Sequence, residues 1–334
     1  MVVEPAPRAR RVPWVVAWQE ALYGERGFYR GAAPGEHFAT SVQGVPGAGE
    51  VLAEAVLALA RRHGCPAVVD VGTGRGELLG HLRRLEPALR LTGVDVVARP
   101  DGLEVDDWLV SPGGAALPPT LTGLRDTLVL AHEWLDVVPC PVAERDAGGV
   151  WRAVTVAPDG TEGRGAPLAG PDLAWADRWL GPEVLRAEVG RPRDLAWAEL
   201  VRRVDRGVVV AVDYGHTRAD RPHHGTLTGF RSGREVEPVP DGSCDLTAHV
   251  AVDSLQDVTV DHRLTRCHVS RQSEVLRDLL PAPTAPAPTD QPPRELARTD
   301  PPAYLAALAR RGALAALTAP GGLGSFRWVV AVRG

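Results

Sequence analysis

The segment that most narrows the possible folds is Val69-Asp70-Val71-Gly72-Thr73-Gly74-Arg75-Gly76, set between a β-branched run and an amphipathic stretch. Glycine at every second position makes a turn in which backbone can approach a ligand, because no Cβ stands in the way. The helix expected from Glu77 onward opens its free N–H groups toward whatever the loop holds. A dinucleotide fingerprint would need glycine at 77, where Glu77 stands. Strand, glycine loop and helix in succession suit a chain that alternates these elements, which builds a parallel sheet with crossover helices.

The rest of the chain continues that alternation. Apolar spacing predicts helices over 14–24, 49–62, 77–85, 193–205 and 303–317. Strands are expected at 67–71, 91–96, 127–131, 208–212 and 326–332. Val208 to Val212 is apolar throughout, as a strand covered on both faces should be. Two stretches break the rhythm. Residues 140–181 contain the alternating Trp151 to Val156 among turns, which reads as a β-rich insertion. Residues 281–302 hold eight prolines and read as a semi-rigid connector. The expected organisation is an N-terminal helical and lid segment over 1–48, followed by one α/β domain over 49–334.

Composition removes whole chemistries. All 37 basic residues are arginine, and the 334-residue chain has no lysine, asparagine or isoleucine. Schiff-base lysines, P-loops and the lysine and asparagine of kinases are therefore excluded. A net charge of −5 argues against nucleic acid as a partner. Cys65, Cys140, Cys244 and Cys267 show no C-x-x-C spacing, so free thiols and no metal are expected. His223-His224 lacks a third ligand at useful spacing and reads as an exposed loop. No apolar run approaches the ~20 residues that cross a bilayer. The N-terminal run from Val12 to Trp18 is broken by Pro13 and has no cleavage site, so a cytoplasmic protein is expected.

The candidate site residues fall at expected strand ends, where open α/β sheets bind ligands. Asp70, Gly72, Gly74 and Gly76 form the loop. Asp95 follows Gly76 by nineteen residues, at the end of the second strand, where a carboxylate can accept both hydroxyls of a ribose. Glu133 and Asp136 lie just past the third strand, and Asp213 just past the fourth. Asp245 and His249 are read as buttresses of that region.

The loop resembles the first motif of class I S-adenosylmethionine (SAM) methyltransferases, and further segments resemble one branch of them. Ala21-Leu22-Tyr23 with Gly27-Phe28-Tyr29, His37 to Ser41, Ala131 to Pro139, Val212 to Gly215, Gly225-Thr226-Leu227, Asp245 to Val250 and Gly322 to Phe326 are similar, in chain order, to motifs of the MidA-like family. Mitochondrial members of that family act in assembly of respiratory complex I. The chain departs from the family motifs at His37, Thr73, His132 and Gly233.

The resemblance implies SAM as cofactor and a mostly parallel Rossmann-like sheet with an antiparallel C-terminal strand. It also implies a protein arginine as methyl acceptor, with a respiratory-complex subunit among the candidate partners. Tyr29 and Thr40 are implied as parts of a lid over the cofactor. A guanidinium has a pKa above ~12 and arrives as a cation. Carboxylates suit it because they take bidentate hydrogen bonds. Glu133 is then expected to contact substrate, Asp136 to support it and Asp213 to orient it. Two other readings remain open: a SAM-binding assembly or scaffold protein without transfer, and an NAD-dependent oxidoreductase.

Overall fold

Seven strands form the central sheet of the computed structural model, which describes residues 10–31, 44–257, 264–280 and 294–334. They are β1 (Ala67–Val71), β2 (Arg90–Asp95), β3 (Asp107–Val110), β4 (Leu124–His132), β5 (Val204–Asp213), β6 (Leu264–Arg271) and β7 (Arg327–Arg333). Their spatial order is β3-β2-β1-β4-β5-β7-β6. All neighbouring pairs from β3 to β5 are parallel, while β7 runs antiparallel to both β5 and β6. The expected mixed sheet is therefore present, with its antiparallel C-terminal strand lying between β5 and β6.

Side-chain alternation splits the core in two. Val68, Leu128, Leu130, Val208, Val210, Val212 and Val330 point to one face. There they meet α2 (Ala48–Arg62), α3 (Glu77–Leu85), α5 (Gln272–Leu279) and α6 (Pro301–Thr318). Val69, Val71, Val129, Ala131, Val209, Ala211 and Val329 point to the other, against α4 (Arg191–Arg202). Residues 208–212 are buried, as the continuous apolar run requires.

The insertion contains strands Val142–Arg145, Trp151–Val156 and Glu162–Pro167 and the helix Gly170–Trp179. It runs further than expected, because Arg186–Glu188 pairs with Val142–Arg145. The helix α1 (Trp14–Tyr23) ends at Gly24 and buries Trp14, Trp18 and Leu22 in a core shared with Val154, Val156 and Leu246. Helix α1 is thus built into the insertion's core. A small sheet, Thr228–Arg231 with Arg234–Val236 and Asp245–Thr247, adjoins it. Most of the expected proline connector, 281–293, lies outside the described residues. Its last two prolines, Pro301 and Pro302, instead open α6, where their missing N–H groups are harmless and Asp300 caps Ala303 N at 3.1 Å. Among the described residues no helix is long and apolar enough to cross a membrane.

Candidate active site

The carboxyl ends of β1, β2 and β4 open on a cavity of about 950 Å³. Its near wall is the glycine loop. Gly72, Gly74 and Gly76 have φ of 73°, 61° and 77°, a region costly for other L-residues. Their surroundings differ. A Cβ on Gly72 would stand 3.2 Å from the Trp134 ring, and one on Gly76 2.5 Å from Leu103, whereas one on Gly74 meets nothing closer than Glu77 at 4.0 Å. Gly74 is the position that leaves the cavity open.

Two carboxylates pin this loop. Asp70 accepts from Thr73 Oγ1 at 2.7 Å, and burial pushes its carboxyl up to about 7 against that hydrogen bond. Asp95 accepts from Gly74 N at 2.8 Å and Val96 N at 2.7 Å. Burial pushes Asp95 up to about 6 even so.

The opposing chemistry is acidic and aromatic. Glu133 sits at the end of β4 with φ 52°, a strained position for a non-glycine residue, and donates its N–H to Val212 O at 2.8 Å. His132 Nδ1 lies 3.6 Å from its carboxylate. Burial pulls the imidazole down to about 4, so at neutral pH this contact joins a neutral ring to the acid and is no ion pair. Asp136 Oδ2 accepts from the Tyr214 hydroxyl and, at 2.7 Å, from Thr247 Oγ1. The Tyr214 and Thr247 hydroxyls also touch each other. Burial, together with the charge of neighbouring Asp136, raises the Asp213 carboxyl well above the ordinary carboxylate range. Tyr29 donates its hydroxyl to Asp245 Oδ1 at 2.7 Å.

Two buried side chains hold these pieces in register. Arg193, 2% exposed, donates to the carbonyls of Asp136 (2.6 Å), Val138 (3.1 Å), Ala248 (3.0 Å) and His249 (2.9 Å). Glu188 accepts from Thr226 N at 3.0 Å, Leu227 N at 3.1 Å and Thr226 Oγ1 at 2.9 Å, which explains the Gly-Thr-Leu segment. A Cβ on Gly225 would stand 2.9 Å from that carboxylate.

Of the residues expected from sequence, Tyr29, Asp70, Gly72, Gly74, Asp95, Glu133 and Asp136 line the cavity. Gly76 and Asp213 do not. Gly76 ends the loop against Leu103. Asp213 is buried, lies outside the cavity lining and accepts from Leu135 N at 3.3 Å, which fastens the loop that carries Asp136 to the end of β5. Thr40, with His37 and Ser41, lies outside the described residues. Exposed His223 and His224 belong to a loop, and no group of metal-binding side chains exists among the described residues. Asp245 lines the cavity directly and does more than buttress it. Arg193 and Glu188 had no sequence signal, because their partners lie far along the chain and are mostly backbone groups.

Residues 108–269 match the family model described as "Putative S-adenosyl-L-methionine-dependent methyltransferase". A crystal structure from Burkholderia thailandensis bound to S-adenosyl-homocysteine superposes with a TM-score of 0.76 at 22% identity, covering 97% of this chain and 88% of that one. A native structure of an uncharacterized protein from the same organism gives a TM-score of 0.73 at 22% identity, covering 97% and 87%. No curated protein matches the sequence. The chain shares the α/β fold of these two structures, and its residues 108–269 match the model of a family described as putative S-adenosyl-L-methionine-dependent methyltransferases.

Proposed function

We propose that this protein binds S-adenosyl-L-methionine and transfers its methyl group to an arginine side chain of a protein substrate. The observation that carries the acceptor is the wall of the cavity beyond the glycine loop. It brings Glu133, Asp136 and Asp245 together with the aromatic faces of Tyr29, Tyr214 and Phe326. Carboxylates and aromatic faces together suit a planar cation, through paired hydrogen bonds and cation–π contact.

The other half of the cavity fits the cofactor. Gly74 leaves room beside the loop, and Asp95 stands at the strand end where ribose hydroxyls would be accepted. Asp70 and Thr73 keep the loop in shape. Bound there, the cofactor would supply an electrophilic sulfonium methyl. The protein's part is to hold the acceptor in line and keep water out. Glu133 is the group that would contact the guanidinium, and Asp136 and Asp213 would keep it in place. Glu77 in the first turn of α3 speaks against NAD, whose pyrophosphate would meet a carboxylate there.

The similarity to the MidA-like family makes a respiratory-complex subunit the first substrate to test, with the cytoplasm as the expected compartment. The test is incubation with methyl-labelled SAM and cell extract, followed by acid hydrolysis and mass spectrometry. Label in methylarginine is the expected result. Label on another residue overturns the acceptor, and SAM binding without label in any protein favours a scaffold.

A further inference from the structure

We propose that Asp245 is a catalytic residue, the group that takes the proton released when arginine is methylated in this cavity; the assignment rests on arginine as the acceptor. A guanidinium is a cation before the reaction and a cation after it, so each transfer must release one proton. The nitrogen electron pair forms the new N–C bond, and the electron pair of the broken S–C bond stays on sulfur. The surplus N–H proton goes to a carboxylate oxygen of Asp245, and from there to water once product leaves.

The wall offers other acids, and their partners separate them. Asp136 has its Oδ2 already taken by Tyr214 and Thr247, and its Oδ1 is buried. Asp213 does not reach the wall. Glu133, at its strained strand end beside His132, is the partner of the cation. Asp245 differs. Tyr29 holds one of its oxygens at 2.7 Å, and no other side chain among the described residues donates to it.

The titratable groups that face Asp245 are Tyr29 and Tyr23 from the N-terminal helices, Asp136 and Glu133 from the loop after β4, and neighbouring Cys244. Burial pushes the Asp245 carboxyl up to about 7, Asp136 and Glu133 add to the rise, and the Tyr29 hydroxyl opposes it. A base tuned near neutral pH is ionised often enough to accept a proton and weak enough to release it.

The experiment follows arginine labelling by the full chain against extract proteins, with methyl-labelled SAM, from pH 5.5 to 9. Binding of S-adenosyl-homocysteine is measured in parallel. The wild type should gain rate as pH rises through about 7 and level off above. Asp245→Asn should lose about a hundredfold or more in rate while S-adenosyl-homocysteine still binds. Tyr29→Phe removes a hydrogen bond that favours the carboxylate, so its rising limb should move to higher pH. Full rate and an unchanged profile in Asp245→Asn overturn the assignment alone, as does an unmoved limb in Tyr29→Phe. A wild type that labels proteins but never arginine overturns the acceptor, and this assignment with it.

Discussion

The guanidinium of Arg193 donates to the main-chain oxygen of Asp136 at 2.6 Å, and so a buried cation is held by backbone and not by a carboxylate. The same side chain reaches the carbonyls of Ala248 and His249. It therefore ties the loop that carries Asp136 to the strand end that carries Thr247. Its planar fork is what lets one residue serve both loops.

Removing that fork should be among the most damaging single changes in the molecule. Arg193→Met leaves the same carbonyls buried without these donors, which should cost at least about 3 kcal/mol. Arg193→Lys should rescue little, because an ammonium has fewer donors and no fixed plane. Urea denaturation of both variants checks this. Near-wild-type stability in either would mean that water replaces the guanidinium.

Cofactor affinity should depend on pH through Asp95. Its carboxyl, pushed up to about 6 by burial, must be ionised to accept ribose hydroxyls well. Binding of S-adenosyl-homocysteine should be strong at pH 7.5 and weaken as pH falls below about 6. Asp95→Asn should bind more weakly at pH 7.5 and lose that dependence. Calorimetry across the range reads both, and a flat wild-type profile would remove Asp95 from the ribose site.

The loop glycines should separate by what surrounds them. Alanine at Gly72 or Gly76 meets both a left-handed backbone and a side chain, Trp134 or Leu103, and should lose more than the ~1–2 kcal/mol of backbone strain alone. Alanine at Gly74 meets only the backbone term. Gly74→Trp should keep the fold, read by circular dichroism, and abolish S-adenosyl-homocysteine binding, because the side chain enters the cavity. Retained affinity would place the cofactor elsewhere.

The sequence made the central strands and the loop legible because both are local patterns: apolar runs of strand length, and glycines at fixed spacing. It hid β3 and β6, whose short or half-exposed residues carry no continuous apolar signal. Glu133 and Asp136 were legible as acids past a strand end. Asp213 shares that position but lies outside the cavity lining, and only the packing around it decides this. Arg193 could not be found, since one arginine among 37 looks like any other until its four carbonyl partners converge.

The position of β7 has a consequence for synthesis. It lies between β5 and β6, and β6 pairs with no other strand of the sheet. A chain emerging from the ribosome has made β6 by residue 271 but has nothing to set it against until Arg327–Arg333 appear. Through that interval the outer edge of β5, five valine and alanine residues from Val208 to Val212, is open to pairing with any passing strand. Native closure of the sheet thus waits on a strand made late, after every other strand of the sheet has been synthesised.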